Sequence, residues 1–263
     1  MPNDVLTRAI DAVCSGTHLT ADHASAVLDE IMEGRASEVQ TAAFLVALRA
    51  KGETVAELVG LARTMRRLAA EVRAGRDGLV DTAGTGGGPS TFNISTAAAI
   101  VAAGAGCAVA KHGNRSNTSR CGSADLLEAL VGLGCERALV VRAADGMDEI
   151  SVSDRTRVVE VKDGGTEEWF LTPEELGFER VGIERIAGGS PEENAATVRR
   201  VLAGDDGPAR EVVLANAGAA ILIGGAASNL QDGIERAREA IDSGAAADVL
   251  TRLVELTAEL AGS

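Results

Sequence analysis

The period of the hydrophobic pattern changes once along this chain, near Gly75, and that change most narrows what it can fold into. Before it, apolar residues recur only at helical spacing: Ala24, Val27, Leu28 and Ile31; Thr41, Phe44, Leu45 and Leu48; Val55, Leu58, Val59 and Ala62. Each set lies on one face of a helix. Ser37 with Gln40 and Thr54 with Glu57 read as capping-box pairs, and Gly16, Gly34, Gly52 and Gly75 stand where helices should stop. Residues 1–74 are therefore expected to form a small bundle of four short helices. Beyond it, β-rich runs at 78–82, 107–111 and 137–142 alternate with helical stretches, the pattern of a parallel sheet with crossover helices. "TRVVEVKDGGTEEWFLT" reads as a hairpin about a DGG turn. "TPEE" at 172–175 and "SPEE" at 190–193 each read as a capping box with proline at the first helical position. The expected fold is α/β: a helical domain, 1–74, and a larger domain, 75–263, with a mainly parallel sheet flanked by helices. Val249, Leu253, Leu256 and Leu260 put one apolar face on the last helix.

Composition sets the character of the core. Hydrophobic residues make up 46% of the 263, but aromatic ones only 2%, and there are 31 glycines. Such a core is built of small and aliphatic side chains on closely packed helices. The formal charge of −14 gives a field that repels phosphate backbones, so nucleic acid is not an expected partner. A small anionic substrate needs a local cluster of donors to override that field. Cys14, Cys107, Cys121 and Cys135 are widely spaced, with no C-x-x-C pair, and read as free thiols of a reducing compartment. The first residues, "MPNDVLTRAIDAV", do not read as a secretory signal. No apolar run approaches the roughly 18 residues of a membrane span. The expected location is the cytoplasm, with no membrane partner.

Three strand ends carry the candidate chemistry. "DTAGTGGGPSTFNIST", 81–96, joins a strand to a helix through glycines and small hydroxyl side chains. Unpaired N–H groups and a partial positive charge make a helix N-terminus an anion cradle, and glycines let backbone approach the ligand. A Walker A loop is excluded because its lysine is absent, and G-x-G-x-x-G breaks at Pro89. Packing alone does not call for Thr85, Thr91, Asn93, Ser95 and Thr96 together. "KHGNR", 111–115, follows the second strand, where Lys111 and Arg115 supply local positive charge on the ligand-facing side of a parallel sheet. His112 reads as a hydrogen-bonding or packing group rather than a base, and His18 and His23, in the helical region, have no acidic or serine partner. "DGMDEIS", 145–151, ends the third strand with Asp148 and Glu149, a pair suited to magnesium, which keeps waters for substrate phosphates.

In order along the chain, "GTGG", "TFNIST", "KHGNR", "GSADLLEAL", "GMDEIS", "ANAGAAILIGG" and "AIDSGAA" resemble the motifs of the anthranilate phosphoribosyltransferase family of tryptophan biosynthesis. The resemblance implies a helical domain on an α/β domain of the nucleoside phosphorylase and phosphoribosyltransferase kind. It also implies substrates in the cleft between them and a homodimer through the helical domain. Carried over by position, it implies that Gly84, Gly87, Thr91, Asn93, Ser95 and Thr96 hold phosphoribosyl pyrophosphate. Lys111, Asn114, Ser119 and Ser123 would complete that pocket, Asn114 also touching anthranilate. Ser95 and Glu149 would ligate one Mg2+, Asp148 and Glu149 a second. No residue is assigned as an acid–base catalyst, since the aniline nitrogen is already a nucleophile.

Two departures from the family pattern stand out. Gly88, Pro89 and Ser90 replace four family positions, so the glycine loop is one residue shorter and lacks its aspartate. After "GSADLLEAL" the family has a long segment with two strands, two helices and the arginine that pairs with anthranilate's carboxylate. Here the chain runs directly into "VGLGCERALVV". The sheet is expected to be shortened accordingly. Two alternatives stay open on these grounds: a non-catalytic homologue that binds phosphoribosyl pyrophosphate or pyrophosphate, and a transferase or phosphorylase using another acceptor.

Overall fold

The computed structural model describes residues 2–69, 75–84, 88–111 and 136–261. The chain divides into two compact units, one mainly Met1–Arg73, the other mainly Ala74–Arg120, Leu139–Glu160 and Glu167–Ser263.

The first unit holds the four expected helices: α1 (Asp4–Cys14), α2 (Ala21–Met32), α3 (Glu38–Lys51) and α4 (Val55–Leu68). Each begins at a polar cap, Asn3, Thr20, Ser37 or Thr54, whose side chain accepts a first-turn N–H. α1 packs on α3 and α2 on α4, burying Leu6, Ala9, Val13, Leu19, Ala24, Val27, Phe44 and Leu48. Leu45, read as part of the α3 stripe, is 54% exposed, together with Val39 and Val46. Thr54 and Glu57 close a full capping box. Ser37 and Gln40 close only half of one: Ser37 Oγ accepts from Gln40 N–H at 3.2 Å, while the Gln40 amide turns to Asn3. There it accepts from Asn3 N–H and donates to Asn3 O, both at 3.0 Å, tying the start of α1 to α3.

A buried ion pair locks the α3–α4 corner. Lys51 Nζ, on a 4% exposed side chain, donates to Glu57 Oε2 at 2.9 Å, Gly52 O at 2.7 Å and His18 Nδ1 at 2.8 Å. Glu57 also accepts from Leu19 N–H and Thr54 N–H, both at 2.8 Å, and from the Thr54 hydroxyl at 2.9 Å. All three ammonium hydrogens are used, and so are both carboxylate oxygens. His18, read as having no acidic or serine partner, is the third acceptor on Lys51. Gly52, at φ +88°, supplies the left-handed residue that turns the chain between the two helices.

In the second unit the runs at 78–82 and 107–111 pair in parallel through Val80 and Val109. Val80 N–H donates to Ala108 O at 2.8 Å, and Ala110 N–H to Val80 O at 2.9 Å. Between them runs α5 (Ile94–Gly104), with Ile94 and Ala97 to Ala102 buried. The third run, β1 (Arg137–Ala143), belongs to a three-stranded sheet of order β1-β2-β3 with β2 (Thr156–Lys162) and β3 (Gly165–Leu171). Among the described residues it thus pairs with the hairpin that follows rather than with the first two runs, a consecutive order that needs no crossover helix. The hairpin turn is Asp163 and Gly164, both at positive φ, +52° and +75°, as a two-residue type I′ connection demands. β2 is buried along most of its length and β3 is mostly exposed, with Arg157 and Glu168 paired across the strands at 2.7 Å.

Among the described residues the remaining α-helices are α6 (Pro191–Leu202), α7 (Pro208–Ile223), α8 (Leu230–Asp242) and α9 (Ala245–Ala261). Ser190 and Glu193 cap α6 reciprocally, as "SPEE" predicted. "TPEE" makes the same reciprocal bonds through Thr172 and Glu175, but on a single 3₁₀ turn, Glu174–Leu176, ended by Gly177 at φ +80°. α7 is buried nearly throughout and packs on α5 and α8. At the α7–α8 crossing a Cβ on Gly218 would stand 2.8 Å from Ile234 N, and one on Gly233 would overlap Gly218 O. These contacts explain a core rich in glycine and alanine and poor in rings. α9 buries Ala246 only, so its apolar face is open, with Leu253 49%, Leu256 53% and Leu260 67% exposed. Cys14 and Cys107 are free thiols, while Cys121 and Cys135 lie outside the described residues. Among the described residues no helix is long and apolar enough to cross a membrane.

Candidate active site

The end of the Val80 strand, the first turn of α5, Lys111 and the loop after β1 meet in one place, all within the second unit. Lys111 follows directly on the Val109 bridge, and its ammonium reaches back to Thr82 O and to Ser95 Oγ, the latter at 3.3 Å. Thr82 Oγ1 donates to Ser95 O at 2.9 Å, tying the strand end to the helix start. Burial lowers the Lys111 pKa, opposed by the carboxylates of Asp81 and Glu149.

Asn93 stands at the N-cap of α5 but makes no side-chain capping bond. One first-turn donor is met from another element, since Ser95 N–H donates to the Glu149 carboxylate. An acid at a helix N-terminus is favoured by the helix dipole. Burial and the neighbouring Asp148 charge nevertheless dominate, and they push the Glu149 pKa up to about 8 against the pull of Ser95 N–H and Lys111. Two carboxylates share this small space with one lysine.

The loop that carries them is tightly built. Met147 and Ile150, on either side of Asp148–Glu149, are 2% and 1% exposed and anchor it in the core. Asp145 accepts from Met147 N–H at 3.0 Å and from the hydroxyls of Ser151 and Ser153. Asn216, on α7, accepts from Ile150 N–H at 3.0 Å and donates to Ile150 O at 2.9 Å. Gly84 and Gly88 lie directly on this loop. A Cβ on Gly84 would sit 2.7 Å from Asp148 Oδ2, and one on Gly88 would sit 2.7 Å from Gly146 O and 3.3 Å from Met147 Cα.

Of the residues singled out from sequence, Gly84, Ser95, Lys111, Asp148 and Glu149 are brought together. Thr91 pairs in an antiparallel bridge with Ala187, and Asn93 and Thr96 are exposed at the start of α5. Thr85, Gly87, His112, Asn114, Arg115, Ser119 and Ser123 lie outside the described residues. Thr82, Asp145 and Asn216 were not singled out. Asn216 carried a usable signal, an amide in an otherwise apolar helical run, "VVLANAGAAILI", where a polar group must find partners.

Ser95, Asp148 and Glu149 offer only oxygen donors, as a hard divalent cation requires. Burial first and the Asp148 charge second raise the Glu149 pKa, and a cation bound beside the pair would favour its charged form. Among the described residues no cluster of three or more His, Cys, Asp or Glu side chains is present. Three such side chains fill only part of the coordination sphere of a divalent cation and would leave places for water or substrate oxygens, the habit of Mg2+.

Comparison with known proteins gives the same picture over the whole length. Residues 7–69 match the glycosyl transferase family helical bundle domain, and residues 76–136 and 128–247 match the glycosyl transferase family a/b domain in two pieces. The anthranilate phosphoribosyltransferase of Rubrobacter xylanophilus is 38% identical over 340 aligned positions, covering 98% of this chain and 99% of the relative. An alignment of 340 positions onto 263 residues closes only with a long gap in this chain. The crystal structure of anthranilate phosphoribosyltransferase from Thermus thermophilus superposes with a TM-score of 0.81 at 34% identity, covering 94% of this chain and 98% of that one. The Saccharomyces cerevisiae enzyme in complex with PRPP and Mg shares the fold, with a TM-score of 0.73 at 20% identity, covering 95% and 92%. The chain belongs to the anthranilate phosphoribosyltransferase family and lacks a long central segment of it.

Proposed function

We propose that this protein transfers the phosphoribosyl group of phosphoribosyl pyrophosphate to the amine of anthranilate, releasing pyrophosphate, as the relatives' names describe. The observation that carries the reading is the convergence of Ser95, Lys111 and Glu149 at the first turn of α5. In the reaction the C1′–oxygen bond to pyrophosphate breaks as nitrogen bonds to C1′, and the nitrogen then loses a proton. Negative charge builds on the leaving diphosphate, so fixed donors aimed at it accelerate the step. Lys111 is such a donor, with Gly84, Gly87, Thr91, Asn93 and Thr96 around the substrate. Asn114, Ser119 and Ser123 complete the proposed pocket. Mg2+ would be held by Ser95, Asp148 and Glu149, where it would neutralise diphosphate charge. No residue is needed as a strong base, because the aniline nitrogen attacks uncharged.

The same reading takes 1–74 and 75–263 as the domains and the cytoplasm as the location. It makes the protein a homodimer through the helical unit, supported by the open apolar side chains Val39, Leu45 and Val46 on α3. The direct test is the loss of anthranilate fluorescence on mixing with phosphoribosyl pyrophosphate and Mg2+. Lys111→Met is expected to lower kcat/KM by about 10²-fold or more, the usual cost of one transition-state donor. No fluorescence loss at high protein concentration would overturn the reading.

A further inference from the structure

The loop bearing Asp148 and Glu149 could be held by its own turn alone, yet one side chain from another element grips it at a decisive bond. Asn216 projects from α7 and uses its whole amide. Its oxygen accepts from Ile150 N–H at 3.0 Å, and its nitrogen donates to Ile150 O at 2.9 Å and to Val212 O at 2.8 Å. The orientation of the amide is fixed by chemistry, because a flipped group would set its NH2 against an N–H and its oxygen against two carbonyls. Ile150 N–H belongs to the same planar peptide as the carbonyl of Glu149. Holding that N–H fixes the plane leaving Glu149 and so the direction in which the Glu149 carboxylate is delivered to Ser95 N–H.

From this geometry we infer that Asn216 is a positioning residue for the divalent-cation site, aiming Glu149 through the peptide bond it shares with Ile150. Asp145 performs the complementary task on the other side, at Met147 N–H, but from within the loop, so it moves with the loop. Asn216 alone of these two ties the acid pair to a buried helix. The inference rests on the proposed site and adds to it a residue that touches neither substrate nor metal. Outer groups of this kind set ligand orientation, and their loss costs about 10- to 100-fold in metal affinity.

The test is Mn2+ binding to the full chain, with and without inorganic pyrophosphate, followed by electron paramagnetic resonance of the free ion. Asn216→Asp keeps the acceptor for Ile150 N–H but turns a charged oxygen on Ile150 O and Val212 O. Asn216→Ala removes the grip and leaves room for water. Both are expected to weaken Mn2+ by about 10-fold or more. Val198→Ala, a buried α6 position outside the site, serves as the stability control and is expected to bind Mn2+ normally even where its melting temperature falls as far. Native Mn2+ affinity in folded Asn216→Ala, or equal losses in Val198→Ala, would overturn the assignment. Failure of the unaltered chain to bind Mn2+ would remove the proposed cation site, and this inference with it.

Discussion

Gly84 and Gly88 should fail in opposite ways when each is given one methyl group. Neither needs a left-handed backbone, so alanine is sterically allowed by φ at both, and only the neighbours decide the outcome. At Gly84 the new Cβ would stand 2.7 Å from Asp148 Oδ2, the far end of a side chain that can swing away. Moving a side-chain end costs less than moving backbone, and alanine restrains the unfolded chain, which offsets the cost by about 0.4–1 kcal/mol. At Gly88 the Cβ would meet Gly146 O at 2.7 Å and Met147 Cα at 3.3 Å, backbone on a loop whose Met147 is 2% exposed and cannot retreat. Overpacking of that kind costs about 1–3 kcal/mol, or roughly 2–12 °C in melting temperature for a unit of this size.

The assays are a melting curve and Mn2+ binding on each variant. Gly84→Ala should melt at or slightly above the native temperature and bind Mn2+ about 10-fold more weakly, because Asp148 has been pushed from its place. Gly88→Ala should melt several degrees lower. A Gly84→Ala protein with native Mn2+ affinity would refute the placement of Asp148 as a cation ligand. A Gly88→Ala protein with native melting would refute the contact between the glycine turn and the Gly146–Met147 backbone.

Further outcomes follow from the first unit. Glu57 is buried with Lys51, and removing one member leaves the other charge unmatched, so Lys51→Met should cost about 3–5 kcal/mol, read from denaturant unfolding. Burial by itself would raise the Glu57 pKa, but Leu19 N–H, the Lys51 ammonium and the Thr54 donors outweigh it and hold the carboxyl below its ordinary value. The stabilisation this gives is present above the ordinary glutamate pKa and is lost as pH falls through the lowered one. Glu57→Gln should therefore show a smaller stability loss between neutral pH and about pH 3 than the native chain. Val39 and Val46 are 79% and 69% exposed, so Val46→Glu should leave melting of the separated chain unchanged while lowering the sedimentation coefficient of a homodimer. An unchanged sedimentation coefficient would place any dimer contact elsewhere.

What was legible in the sequence was whatever short-range chemistry decides. The caps of α3, α4 and α6, the Asp163–Gly164 turn and the helix after the glycine turn depend on neighbours within four residues, and the pattern announces them. Misreadings arose where a distant partner outcompeted the local one. The Gln40 amide bonds the backbone of Asn3, 37 positions away, rather than Ser37 N–H. Thr172 and Glu175 make their local bonds as read, but one turn later Gly177 takes the chain into a left-handed conformation and no helix follows. β1 carries the residues of a strand, yet nothing in seven residues names its neighbour, which is the hairpin. The candidate site divides the same way: Ser95, Lys111, Asp148 and Glu149 stand out by type, whereas Asn216 acts across 66 positions and only its amide in an apolar helix hints at it.

The acidic pair and the anion cradle look incompatible when taken one at a time. A glycine turn opening a helix asks for phosphate, but here the first-turn Ser95 N–H is already given to Glu149, with Asp148 beside it. A unit charge about 4 Å from one of like sign is repelled by about 4 kcal/mol at the dielectric of a protein surface, so Asp148 opposes a diphosphate, and Glu149 adds to that once pH rises through its raised pKa of about 8. Lys111 cannot compensate alone, since it carries one charge and burial already disfavours its protonated form. A divalent cation held by Ser95, Asp148 and Glu149 would offset that repulsion. On the proposed reading, the acids therefore make diphosphate binding conditional on the metal: without it they repel the substrate, and with it they hold the charge that draws the substrate in. Substituting both Asp148 and Glu149 by their amides should accordingly leave a weak, metal-independent affinity for pyrophosphate, and tight metal-dependent binding in that variant would break the argument.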